Sequence, residues 1–132
     1  MTQRDERGSI TAFVAVVATA LVFVAGMAYD GGQVIAAHQA ARSLAARAAR
    51  AGAQQVDLGH LRATGEPRLD PTAAESAALE YLERTGATGT ADATGTAISV
   101  TVTRTQPMHI LPGPGRTITV TETATPVYET RP

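Results

Sequence analysis

The feature that most constrains this sequence is an uncharged, largely apolar stretch near its N-terminus, residues 9–29. Charges bound it on both sides, with Arg7 shortly before it and Asp30 directly after it. As a helix rising about 1.5 Å per residue, residues 10–28 would be about 28 Å long. That length is close to the roughly 30 Å hydrocarbon thickness of a bilayer. The stretch therefore predicts a transmembrane helix over residues 10–29, with a short N-terminus (residues 1–9) on one side and residues 30–132 on the other.

Two other interpretations of this stretch remain open. A buried helix of a soluble protein is disfavoured, because the rest of the chain has little apolar mass to surround it and only 4% of all residues are aromatic. A cleaved secretory signal is favoured by the small residues Gly26 and Ala28 ahead of Tyr29. Against cleavage, the stretch is longer than the roughly 7–15 apolar residues of a signal core, and the helical pattern continues beyond it. We therefore expect a retained anchor.

The positive charges indicate an orientation. Arg4 and Arg7 lie immediately before the span, whereas the next arginines, Arg42, Arg47 and Arg50, lie farther along the chain. Because basic residues close to a span tend to stay in the cytoplasm, we expect the N-terminus inside and residues 30–132 outside. The expected location is the cell membrane, with a single pass.

An alanine-rich helix is predicted directly after the span, over residues 33–55. Alanine is the best helix former, and nothing before Gly52 interrupts the pattern, although Gly31 and Gly32 predict a kink or short break at the membrane exit. Small apolar residues recur on one face at three–four spacing: Val34, Ala37, Ala41, Leu44 and Ala48. We expect this face to be a helix-packing surface, either for the protein's own strands or for a helix of a partner.

The remainder predicts a small α+β domain. Residues 57–69 are expected to be irregular, and Asp70 with Pro71 predicts the start of a second short helix that ends at Gly86. The low-complexity stretch 85–96 predicts a flexible surface connection.

The C-terminal part of the chain switches to an alternating pattern. Ile98, Val100 and Val102 alternate with Ser and Thr, and the same pattern returns at Ile118 and Val120, so two half-buried strands are predicted. Because two strands alone are marginal in water, we expect a small antiparallel sheet covered by a helix. The expected fold class is α+β: a transmembrane helix extended by the Ala-rich helix, a second short helix and a small antiparallel sheet.

No residue pattern indicates catalysis. His38, His60 and His109 are far apart and lack the short spacings of metal sites, and there is no cysteine. A net charge of −1 with scattered arginines argues against a nucleic-acid surface. We therefore expect a protein that is not an enzyme, with no catalytic residue, metal or cofactor, and with neither nucleic acid nor a small-molecule substrate as a partner.

The order of these features resembles a known family, although no single motif is specific. The features are the Arg-Asp-Glu-Arg-Gly-Ser sequence at 4–9, the apolar span, the Asp-Gly-Gly at 30–32, the Ala-Ala-Arg-Ala-Gly-Ala at 48–53 and the Thr-rich strands. Together they resemble the short TadG-like type of the TadE/TadG-like proteins of Flp (tight-adherence) pilus assembly, as found in actinobacteria. The resemblance is strongest over residues 4–57.

The resemblance implies a pilin-like layout of this α+β fold. It also implies a pseudopilin-like or minor subunit of a type IVb pilus or tight-adherence secretion system. Its implied partners are the lipid bilayer and other membrane subunits of that system. Gly8 and Ser9 match a prepilin-peptidase position, but Phe13 stands where such segments usually carry glutamate. We therefore expect the chain to remain largely uncut there. An exported or anchored envelope binding domain unrelated to pili is the alternative function.

Overall fold

A single helix dominates the structure. The computed structural model describes residues 5–126, and its first element, α1, runs without interruption over Asp5–Ala53. These 49 residues correspond to a rod of about 73 Å at about 1.5 Å per residue. The predicted kink at Gly31 and Gly32 is wrong. Each glycine weakens a helix by about 1 kcal/mol relative to alanine, but contacts to the domain hold α1 on both sides of this pair, at Asp30 and at Ala37.

Two short helices follow. The first, α2 (Leu58–Thr64), replaces the irregular stretch predicted for residues 57–69. None of its residues is buried, so its ends define it. The Asp57 carboxylate starts it by accepting from the His60 backbone N–H at 2.9 Å, and Gly65 at φ 75° ends it. The same His60 N–H, helped by that of Gly59, holds the pKa of Asp57 below its ordinary value.

The next helix, α3 (Pro71–Arg84), has the predicted ends. Asp70 caps it by accepting from the Ala73 N–H at 3.1 Å, and Pro71 occupies its first turn. After it the chain turns through Gly86 at φ 67°. Ala74, Ala78 and Leu82 form its buried side.

Three antiparallel strands complete the fold in the order β1-β2-β3: β1 (Thr88–Ala93), β2 (Ile98–Gln106) and β3 (Arg116–Ala124). The first strand lies in the stretch predicted to be a flexible connection, so that prediction is wrong. The residues of β1 are small because the strand packs closely on its neighbours. A Cβ added at Gly89, for example, would lie only 2.9 Å from Leu82 Cδ1. The Ala93 N–H also donates to Glu75 Oε1 at 2.9 Å, which ties β1 to α3.

The core lies between one face of this sheet and the two helices α1 and α3. The helices contribute mostly alanine and the strands contribute the larger side chains Ile98, Val100, Val102, Ile118 and Val120. Alanine allows α1 to approach closely, and at Gly52 a Cβ would lie 2.7 Å from the Ala74 carbonyl oxygen. The opposite face of the sheet carries hydroxyl pairs such as Thr101 and Thr121, whose Oγ1 atoms are 2.8 Å apart. The predicted α+β class and its antiparallel sheet are thus confirmed.

Candidate functional site

The N-terminal half of α1 is apolar and uncovered. Within residues 5–126, α1 is the one helix that is long and apolar enough to cross a membrane by length and composition, and almost none of its most apolar part is buried by the protein. Phe13, Leu21, Val22 and Phe23 are all more than half exposed. A core helix of a soluble domain would be mostly buried, so this exposure argues against that alternative.

At the end of the apolar stretch, Asp30 binds the loop that joins β2 and β3. Its side chain is buried, and three consecutive backbone N–H groups donate to it. The His109 N–H reaches Oδ1 at 3.2 Å, while those of Ile110 and Leu111 reach Oδ2 at 3.1 and 2.8 Å. A carboxylate is suited to this task because its two oxygens accept several bonds at once, and bonds to a charged acceptor are the stronger kind. We call this arrangement the Asp30 clasp.

One turn before Asp30, the same loop packs directly on the helix. Gly26 is buried, and a Cβ there would lie 2.6 Å from Ile110 Cγ2. Glycine is therefore required at this position for the close approach of Ile110. The clasp and this contact fix the far end of the β2–β3 hairpin to the last part of the apolar stretch.

The sequence contains one signal for the Asp30 clasp, the isolation of this acidic residue. Asp30 is the only acidic residue between Glu6 and Asp57. A lone carboxylate at the end of an apolar run suggests a nearby set of donors, but nothing in the sequence identifies a loop some 80 positions later as their source. The fold alone brings the two together.

The five residues predicted as a packing face lie on the side of α1 that faces the protein's own sheet and α3. Ala37, Ala41 and Ala48 are buried, and Val34 and Leu44 are partly buried against the same core. Beside this face, Arg42 Nε donates to Glu122 Oε1 at 2.7 Å and links α1 to β3. The predicted peptidase position lies elsewhere, because Gly8 and Ser9 are exposed at the start of α1, far from the domain.

The three histidines do not come together. His38 and His109 are exposed, His60 is partly exposed in α2, and only the backbone of His109 takes part in the clasp. Among residues 5–126, no three side chains of histidine, aspartate or glutamate are grouped in a way that could hold a metal ion. The arrangement that stands out among the described residues is the junction between the apolar helix and the domain.

Comparison with known proteins identifies a related family for the first part of the chain. Residues 8–55 match the family model of the TadE/G-like Flp pilus-assembly proteins. The matched segment coincides almost completely with α1, whereas the sheet lies outside it. No curated protein and no solved structure gives a significant match to the chain. The family resemblance predicted from the sequence is thereby confirmed.

Removal of the clasp should free the β2–β3 loop. In an Asp30→Ala variant the three N–H groups lose their acceptor, so amide hydrogen exchange at residues 109–111 should accelerate by at least about tenfold. Asp92→Ala is the matched control, because Asp92 is an exposed carboxylate on β1. Exchange measured by mass spectrometry on the full chain in detergent decides the matter. Unchanged protection at residues 109–111 in the Asp30→Ala variant would show that the carboxylate does not hold the loop.

Proposed function

We propose that this chain, whose residues 8–55 are a TadE/G-like Flp pilus-assembly segment, is a membrane-anchored structural or assembly component of a Flp-type (type IVb) pilus or tight-adherence secretion system. One observation carries the proposal. The matched segment coincides with a continuous helix whose first half is exposed and apolar and whose second half forms the core of a small domain. A family of assembly proteins and a rod-and-domain architecture both indicate a structural role.

The proposed role is that of a pseudopilin-like or minor subunit. Rods of this kind associate side by side through their apolar halves, in a membrane or in a filament. Small residues would ease such association, and Ala25 and Ala28 are exposed on the apolar half. Gly26 is not available to a partner, because Ile110 of the same chain already packs on it. Any lateral contact by this part of α1 must therefore use the sides away from the β2–β3 loop.

The proposed topology has residues 1–9 in the cytoplasm, residues 10–29 across the cell membrane and residues 30–132 outside. Arg4 and Arg7 next to the span support this orientation. Asp30, the first charge after the span, lies where the clasp begins, so the domain meets the helix at the expected membrane surface. Other membrane subunits of the same system are the expected partners.

A charge in the middle of the span should abolish function. Val22→Arg places a cation near the helix centre at a cost of about 2.5–3.5 kcal/mol on insertion scales, whereas Val22→Leu keeps the span apolar. In the native host, we expect the arginine variant to be lost from carbonate-washed membranes. We expect surface pili to disappear both in this variant and on deletion of the gene. The leucine control should restore both to a deletion strain.

Two outcomes would contradict the proposal. If Val22→Arg fractionates as the wild type does, the apolar stretch does not span the membrane. If deletion leaves pilus number and tight adherence unchanged while the protein remains in the membrane, the chain is an envelope binding domain unrelated to pili.

The peptidase position yields a separate prediction. Because Phe13 replaces the usual glutamate, intact mass of the purified protein should show that most of it is not cut between Gly8 and Ser9. Phe13→Glu supplies the missing carboxylate and should increase the cut fraction when a prepilin peptidase is co-expressed. A wild-type protein that begins mainly at Ser9 would overturn this and would place the chain among processed pseudopilins.

A further inference from the structure

The loop between β2 and β3, residues 107–115, has an unusual composition for an exposed turn. It reads Pro-Met-His-Ile-Leu-Pro-Gly-Pro-Gly, with three large apolar residues and no acidic one. Ile110 is 51% exposed, even though one side of it packs on Gly26. The Asp30 clasp holds the backbone at residues 109–111, so the fold fixes the position of this apolar tip.

That position is at the end of the apolar span. Gly26 lies inside residues 10–29, about 6 Å along the helix axis before Asp30. Ile110 packs on Gly26 and therefore lies at the level of the last turn of the span. Its exposed side faces outward at the depth where Met27 and Tyr29 are also exposed.

The exposed charged side chains nearest the tip are arginines. Arg104 and Arg116 lie near the base of the loop, on the last rungs of the β2–β3 pairing. The nearest acid along this path, Asp30, is engaged by three N–H groups. An apolar tip with basic residues behind it is the arrangement by which peripheral segments enter the interface of an anionic membrane.

We propose that residues 107–115 form a second membrane contact of this protein, to the surface of a bilayer containing anionic phospholipids. Met108 and Ile110 enter the interface beside the span, and Arg104 and Arg116 lie toward the lipid phosphates. The contact fixes the tilt and rotation of the domain on the membrane, which a single helical span leaves free. This inference rests on the proposed anchor, because the loop reaches a bilayer only if residues 10–29 cross it.

The chain has no tryptophan, so single-tryptophan variants report individual positions without background. The full chain is reconstituted in vesicles of phosphatidylcholine and phosphatidylglycerol, with bromine on the lipid chains near the carbonyl end in one set of vesicles and near the end of the chains in a second set. Ile110→Trp probes the loop tip. Leu21→Trp probes the span, and Leu58→Trp, exposed in α2 beyond the far end of α1, probes the part of the domain away from the membrane.

We expect the Ile110→Trp emission to shift to the blue and to lose most of its intensity in brominated vesicles. Leu21→Trp should be quenched mainly by bromine near the end of the lipid chains, while Leu58→Trp should keep its full intensity in both sets of vesicles. Adding Arg104→Gln and Arg116→Gln to Ile110→Trp should reduce quenching in anionic vesicles to the level seen in pure phosphatidylcholine. Pro112→Trp, also exposed on the loop, repeats the measurement without altering the contact between Ile110 and Gly26.

The outcomes distinguish the proposed loop contact from the proposed membrane anchor. If Leu21→Trp is quenched while Ile110→Trp and Pro112→Trp are not, the anchor stands and the loop contact is wrong. If none of the three is quenched, the anchor itself fails. If the loop tryptophans are shielded from brominated lipid and also from aqueous iodide, another copy of the chain covers the loop, and the lipid proposal is overturned.

Discussion

Continuity of α1 from its exposed apolar half into the domain is the constraint on which the rest of the structure depends. One helix serves two environments: its first half presents large apolar side chains outward, and its second half presents alanines inward to a sheet. The change occurs at Asp30. Its carboxylate accepts hydrogen bonds from three backbone N–H groups of the β2–β3 loop, which lies some 80 positions later in the sequence. The domain is therefore built around the end of the apolar part of α1 and is not joined to it by a free linker.

The alanine face determines how the domain is stabilised. Alanine buries little area, so this core depends on close approach, with Gly52 against α3 and the β-branched residues of β2 and β3 filling the space. Larger residues on this face would push the sheet away from α1, because a close-packed interior tolerates extra volume poorly. The ion pair of Arg42 with Glu122 lies at the exposed edge of this core and adds little to stability.

The sequence predicted those elements whose physical causes are local. The apolar run, the Asp70–Pro71 start of α3 and the alternating pattern of β2 and β3 all contain their own signal, and each appears in the structure. The strand β1 was missed because its residues are small, a property imposed by the close approach of Thr101 and Leu82 to Gly89 and not by strand propensity. The helix α2 is not predicted from the sequence, because only its caps, Asp57 and Gly65, define it and none of its residues is buried.

The junction could not be predicted, because it joins residues distant in the sequence. Gly31 and Gly32 indicated a break, and only the clasp at Asp30 and the burial of Ala37 show why the helix continues through them. The family match over residues 8–55 follows the same division. It covers the helix that serves both environments, while the loop and strands that fix the domain to this helix lie outside the match.

The central claim, that anchor and domain form one rigid unit, has a direct test. The chain contains no cysteine, so spin labels at Leu21→Cys and Arg47→Cys, both exposed on α1, report the distance between the span and the domain part of the helix. For a continuous helix in lipid nanodiscs, pulsed electron paramagnetic resonance should give one narrow distance distribution near about 39 Å, from about 1.5 Å per residue. A broad distribution, or one centred at a clearly shorter distance, would show a hinge at Gly31 and Gly32 and would contradict this account.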